Sequence, residues 1–311
     1  MPQKLLVVFG ALVSFFLYRL SGEFGAAAVL SHLLIPFAPA YIGMRVGFVA
    51  GGVTVLGAAG LILVSSGAVG ACMYLLQFGV MAIALSGFLR TVRRWDRAVG
   101  LALLVVVGAT LISLVGYAAL QGKGPVVLAT EIVEAEINQA STFMNSMFAD
   151  AAENSTDARE LADAVESMTR FMRLVYPGML VLVSGVLLLG LTALLNLTKR
   201  DFYKIPGPAF AEWKAPEQLV WLLIASGFMV VLLHGAARTV ALNLMVILLP
   251  IYFVQGLAVI DCFFRRKALS PALRVFGYMV VTLVNPLPMF VTGIGVFDLW
   301  IDFRKSREQK D

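Results

Sequence analysis

Residues 243–261, NLMVILLPIYFVQGLAVID, are almost wholly apolar, yet they hold Asn243, Gln255 and a central Pro250, and Arg265, Arg266 and Lys267 follow closely. The length is close to the ~20 residues a helix needs to cross a bilayer core. Proline removes a backbone donor and clashes with the carbonyl four residues back, here that of Val246, so the helix is expected to kink. Freed backbone groups and amide side chains at membrane depth are tolerated only where protein or a water-filled cavity satisfies them. The helix is therefore expected inside a bundle.

Composition extends this reading to the whole chain. Of 311 residues, 60% are hydrophobic and only 14% charged, and the mean hydropathy is +0.89. Soluble chains are about half apolar and about a quarter charged, so this is a membrane chain. Residues 122–176 carry nine acidic residues against Lys123, Arg159, Arg170 and Arg173. The remainder is strongly basic, and its cations sit in short segments beside apolar runs, as the positive-inside rule requires; nucleic-acid binding would need a basic face on a soluble domain. Cys72, Cys262, His32 and His234 are too scattered for a metal site. No nucleophile, base and orienting group occur together, so neither catalysis nor a cofactor is expected.

In chain order, spans are expected at residues 4–20, 46–64, 68–89, 98–120, 177–197, 217–233 and 243–261. Residues 25–40 are shorter and broken by Pro36 and Pro39, which suggests a half-span or a helix that bends at the membrane surface. Residues 273–300 hold Asn285-Pro286-Leu287-Pro288 near their middle and read as one bent helix or two short ones. The expected fold is an all-α, polytopic transmembrane bundle of about 8–10 spans, some broken by proline. Gly43, Gly47 and Gly51 recur every four residues, a pattern that lets backbones approach closely; packing within the chain is favoured over a dimer seam.

Residues 90–97, RTVRRWDR, and 198–216, TKRDFYKIPGPAFAEWKAP, place two loops in the cytoplasm. Residues 121–176 then lie outside, where two stripes are legible: Val133, Ile137, Ala140, Met144, Met147, and Leu161, Val165, Met168, Met172, Val175. They predict an extracytoplasmic amphipathic helical hairpin turning at ENSTD, 153–157, with Asp157 capping the second helix. Three regions result: N-terminal membrane helices, 1–120; the hairpin, 121–176; and C-terminal membrane helices, 177–311.

The C-terminal third carries a more specific pattern. Phe210, Trp213, Pro216-Glu217 and Trp221, then Asn243-Leu244, Gln255-Gly256-Leu257-Ala258, Gly295-Val296-Phe297-Asp298-Leu299-Trp300 and Asp302-Phe303-Arg304 resemble the YybS-like bacterial membrane family. Tyr176-Pro177 and Asn196 extend the likeness over most of the chain. That family is remotely similar to the substrate-capture (S) components of energy-coupling-factor transporters and to a rod-shape membrane scaffold. The resemblance implies a multi-pass protein of the bacterial inner membrane, with a bundle that cups a small solute while partner chains supply energy. Consistent with this, the sequence contains no G-x-x-x-x-G-K-[ST] phosphate loop. Gly10 and Ser14 are its only small-residue pair on the first helix for docking a coupling subunit.

Asn243, Gln255, Trp221 and Arg45 are accordingly the candidate solute-binding residues. For the two amides, hydrogen bonding between helices competes with cavity lining; for Trp221, an interface anchor competes with a stacking platform; for Arg45, snorkelling to headgroups competes with anion capture. Asp298, Asp302 and Arg304 read first as part of a cytoplasmic-rim ion-pair network with Asp261, Arg265 and Arg266, and second as a partner-docking patch. The leading expectation is a small-solute-binding or transport component in contact with membrane lipids and coupling subunits. The alternative is a membrane scaffold that recruits protein partners through the hairpin or the basic loops.

Overall fold

The computed structural model describes residues 2–21, 28–152, 158–198 and 202–305, and the regular structure among them is entirely helical. The helices are α1 (Gln3–Ser21), α2 (Ala28–Leu34), α3 (Phe37–Arg45), α4 (Phe48–Tyr74), α5 (Val80–Thr91), α6 (Trp95–Leu120), α7 (Pro125–Ala152), α8 (Ala158–Thr198), α9 (Gln218–Leu232), α10 (Ala236–Arg266), α11 (Pro271–Leu283) and α12 (Leu287–Ile301). Among the described residues, five stretches are long and apolar enough to cross a membrane: Gln3–Ser21, Phe48–Thr91, Trp95–Leu120, Asp163–Thr198 and Ala236–Arg266. The pair α11 and α12, bent by 101°, makes a sixth if taken as one. Apolar side chains such as Val64, Leu104, Ile112 and Leu120 point outward while Ser14, Thr54, Ser86, Thr192 and Ser226 are buried, the reverse of a water-soluble domain.

This count is lower than 8–10, and one element accounts for part of the difference. The stretch Phe48–Thr91 has 44 residues; straight, it would be about 66 Å long, twice a bilayer core. It is folded back on itself. Gly67 adopts φ 78° and ψ −179°, a backbone region that is essentially reserved for glycine. Beyond it the chain returns: Gly70 lies against Ile62, Gly79 against Val55 and Gly87 against Phe48, which is an antiparallel register. The two limbs match the spans expected at 46–64 and 68–89. A single π-helical turn, Leu75–Gly79, joins α4 to α5 within the second limb.

The chain divides into two compact units. The first is Met1–Glu131 with Val183–Gly207. Here α1 turns its small residues inward: a Cβ on Gly10 would collide with Ile42, and Ala11 sits against Gly57. Gly10 and Ser14 are thus buried inside the unit, and this face is used within the chain rather than for docking another subunit. Gly43 and Gly51 meet across the α3–α4 turn, a Cβ on Gly51 falling 2.9 Å from the Gly43 Cα, while Gly47 makes the turn with φ 141°. The repeat serves packing within the chain, although its members lie on two helices and the turn between them.

The second unit is Ile132–Leu182 with Pro208–Asp311. Its centre is the crossing of α10 and α12, where a Cβ on Gly256 would land on the Val291 carbonyl and one on Gly295 on the Tyr252 carbonyl. Small residues allow this contact of backbones. α10 runs unbroken across Pro250. α8 runs unbroken across Pro177, so the expected boundary between a hairpin and the membrane helices at 176/177 falls inside one continuous helix. Along the two expected amphipathic stripes Ile137, Val165 and Val175 are buried; Val133 and Met172 are half-buried, and Ala140 and Met168 are exposed. The ENSTD turn, with the Asp157 cap, lies outside the described residues.

Candidate functional site: two amide hubs and a basic cleft

Asn243 braces α8 beside its proline. Pro177 cannot donate to the Arg173 carbonyl, and one residue further on the Gly178 N–H donates to Asn243 Oδ1 at 2.6 Å. The Asn243 Nδ2 in turn donates to the Leu174 carbonyl at 2.8 Å, the acceptor that Gly178 would serve in a regular helix. The amide is inserted into the ladder of α8 as a substitute rung, and its second Nδ2 hydrogen goes to Thr239 O, also 2.8 Å away. Gly178 is what permits the approach: a Cβ there would lie 2.9 Å from the Asn243 carbonyl.

A second tie holds the first unit together. The Ile35 carbonyl lies in the turn between α2 and α3, outside both helices, and Ser14 Oγ donates to it at 2.9 Å. With its one hydrogen engaged, Ser14 can only accept from Tyr74 Oη, 2.8 Å away.

Gln255 is the second amide hub. Fully buried, its Oε1 accepts from the Ala215 N–H at 3.0 Å and its Nε2 donates to Asp298 Oδ2 at 3.2 Å. Arg304 Nη2 donates to the same carboxylate oxygen at 2.9 Å. Its Nη1 reaches the carbonyls of Ala211 and Trp213, each at 2.8 Å. The strap of residues 208–216 is therefore sewn onto α10 and α12 through three side chains. Lys214 adds an ion pair to Asp302 at 3.2 Å, and that hydrogen bond from Lys214 holds the Asp302 carboxyl below the usual carboxylate range. Arg266 also donates to the Arg304 carbonyl, and Asp261 pairs with Arg265 at 2.9 Å. Among the described residues, Asp298 Oδ1, Arg304 Nε and Tyr252 Oη are buried without a hydrogen-bond partner.

These placements separate the candidate residues. Asn243 and Gln255 lie twelve positions apart on α10, about 18 Å along its axis, and serve α8 in one case and α12 with the strap in the other. Both are engaged structurally. Trp221 stands on the first turn of α9, 66% exposed, as an interface anchor would. Asp298 and Arg304 are buried against each other, which leaves Asp302 as the surface member of that trio.

Arg45 belongs to the first unit and lines an open cleft of about 550 Å³ with Arg90, Arg93 and Lys204. Its guanidinium carbon lies 3.8 Å from the centre of the Phe202 ring, and its Nη1 donates to Tyr41 Oη at 3.2 Å. Arg90 Nη1 donates to the carbonyls of Gly43 and Met44 at 3.2 and 3.0 Å, closing the end of α3. Two loops expected on the same membrane side meet here, the Trp95 N–H donating to the Pro206 carbonyl at 2.8 Å. Arg90, Arg93 and Lys204 read in sequence as markers of membrane side. The shared side of their loops was the one signal that they could converge. Among the described residues no group of histidine, cysteine and acidic side chains could hold a metal ion.

Long apolar helices, buried small and polar side chains and proline breaks mended between helices define a polytopic helical membrane protein. The chain belongs to the family described as predicted membrane protein (DUF2232), whose model matches residues 11–299. No curated protein and no solved structure matches it.

Proposed function

We propose that this chain captures a small solute within the bacterial inner membrane and works with partner chains that supply the energy for its movement. One observation carries the reading: each compact unit holds an apolar helix pair broken at prolines. In the first unit α2 and α3 part at Ile35-Pro36, with Pro39 one turn on; in the second α11 and α12 part before Leu287 with a 101° bend. Broken helices in the two halves of a membrane protein place backbone groups where they can bind a solute, and irregular backbone at membrane depth persists only where protein or a cavity satisfies it. The resemblance to S components points the same way. The sequence has no phosphate loop, so ATP chemistry falls to another chain.

The reading is tested by thermal unfolding of the detergent-solubilised full chain against a panel of small metabolites. One chemical class should raise the midpoint, since a ligand at a hundred times its dissociation constant stabilises by about 2.7 kcal/mol. No shift with any class, together with a stoichiometric protein partner that survives purification, would replace capture by the scaffold reading. That second reading is favoured by the exposed acidic residues Glu131, Glu134 and Glu136 on α7, and it requires that Glu134→Lys with Glu136→Lys release the partner.

A further inference from the structure

The basic cleft of the first unit is independent of the solute reading, and its chemistry is more specific than a rule about membrane sides. Arg45, Arg90, Arg93 and Lys204 line it, and no carboxylate does among the described residues. Two of the cations are held in place before any ligand arrives: Arg45 by the Phe202 face and Tyr41 Oη, Arg90 by two backbone carbonyls. Arg93 and Lys204 are exposed at the rim, and no ion pair involves either among the described residues. Fixed guanidinium groups suit a phosphate, whose oxygens accept paired N–H donors, better than a carboxylate-free surface of mobile lysines would.

A second pocket of about 380 Å³ adjoins the cleft and shares Arg45 and Phe202 with it, its other walls being Phe37, Tyr41, Leu197 and Thr198. One side of Arg45 is thus cationic and polar and the other mainly apolar and aromatic. We propose that the two pockets together bind a phosphate-bearing amphiphile, the phosphate among the four cations and the apolar chain along Phe37, Leu197 and Phe202. A membrane phospholipid carries both parts, whereas a soluble phosphate ester would use the basic cleft alone.

The test titrates the delipidated full chain in detergent with phosphatidylglycerol, with diacylglycerol and with glycerol phosphate, reading bound ligand by native mass spectrometry. Phosphatidylglycerol should bind at one or a few sites and diacylglycerol should not. The exposed rim supplies variants that leave the packing intact. Each of Arg93→Gln and Lys204→Gln should weaken phosphatidylglycerol roughly fivefold, the effect of one basic residue at an anionic headgroup. Lys4→Gln with Lys267→Gln, which removes more charge than either rim variant but none from the cleft, should leave it unchanged. Competition by glycerol phosphate at similar concentration would support the phosphate site and assign it to a soluble ester. Equal binding of diacylglycerol, or equal weakening in the control variant, would overturn the proposal, and neither result bears on the solute screen above.

Discussion

A leucine at position 243 and a leucine at position 255 are expected to cost different things. Asn243→Leu leaves the Gly178 N–H and the Leu174 carbonyl open beside Pro177. Interhelical hydrogen bonds in membranes are worth about 0.6 kcal/mol on average and an orphaned buried group costs about 1–3, so a loss of roughly 1–3 kcal/mol is expected. Gln255→Leu should cost at least as much, because it leaves the Ala215 N–H open and removes one of the two donors to the buried Asp298 carboxylate. Midpoints of unfolding in mixed micelles measure both. Unchanged midpoints would mean that water or lipid satisfies these groups and that the amides are free to line a cavity. Sequence singled out both amides correctly as unusual, since apolar spans rarely carry them. It gave no access to their partners, which are backbone atoms as much as 69 residues away. Ser14 went unseen as the donor to the α2–α3 turn for the same reason, appearing only as one of a pair of small residues on α1.

At the scale of the element, Gly67 and the strap make opposite demands. Gly67→Val forces a β-branched side chain into a conformation that costs about 1–3 kcal/mol for residues other than glycine, and the α4 hairpin should be destabilised by that amount. Gly60→Ala, with open space around its Cβ, should be neutral or slightly stabilising; equal effects would refute the turn. The strap responds to pH through Asp302. Its carboxyl is held low by Lys214, so the pair contributes stability above the ordinary aspartate value of 3.8 and loses it as pH falls through the lower folded value. The ion pair is partly solvent-exposed, which limits the effect to about 1 kcal/mol. A comparison of wild type with Asp302→Asn should show a gap in unfolding midpoint at neutral pH that closes below about pH 4. A gap that persists in acid would place its origin elsewhere. Hydropathy located the two limbs of 46–64 and 68–89 well, because each is a spanning length bounded by glycine. It placed a boundary at Pro177, where a proline ordinarily ends a helix, and the rung supplied from α10 removes that boundary.

For the whole molecule, all-helical architecture and membrane residence were legible from composition alone, because both follow from apolar length. The basic cleft was not: its cations come from three separated segments, and each alone satisfies the positive-inside rule without further explanation. The same limit applies to the proposed solute, since broken helices indicate where backbone groups become available without specifying what they hold. Native mass spectrometry of the gently solubilised full chain addresses that claim most directly, because bound solute, lipid and partner chains are weighed together. A small solute at one per chain, retained when phospholipid is stripped away, is the expected result. A chain that carries lipid or a protein partner and no solute across several growth conditions would contradict solute capture.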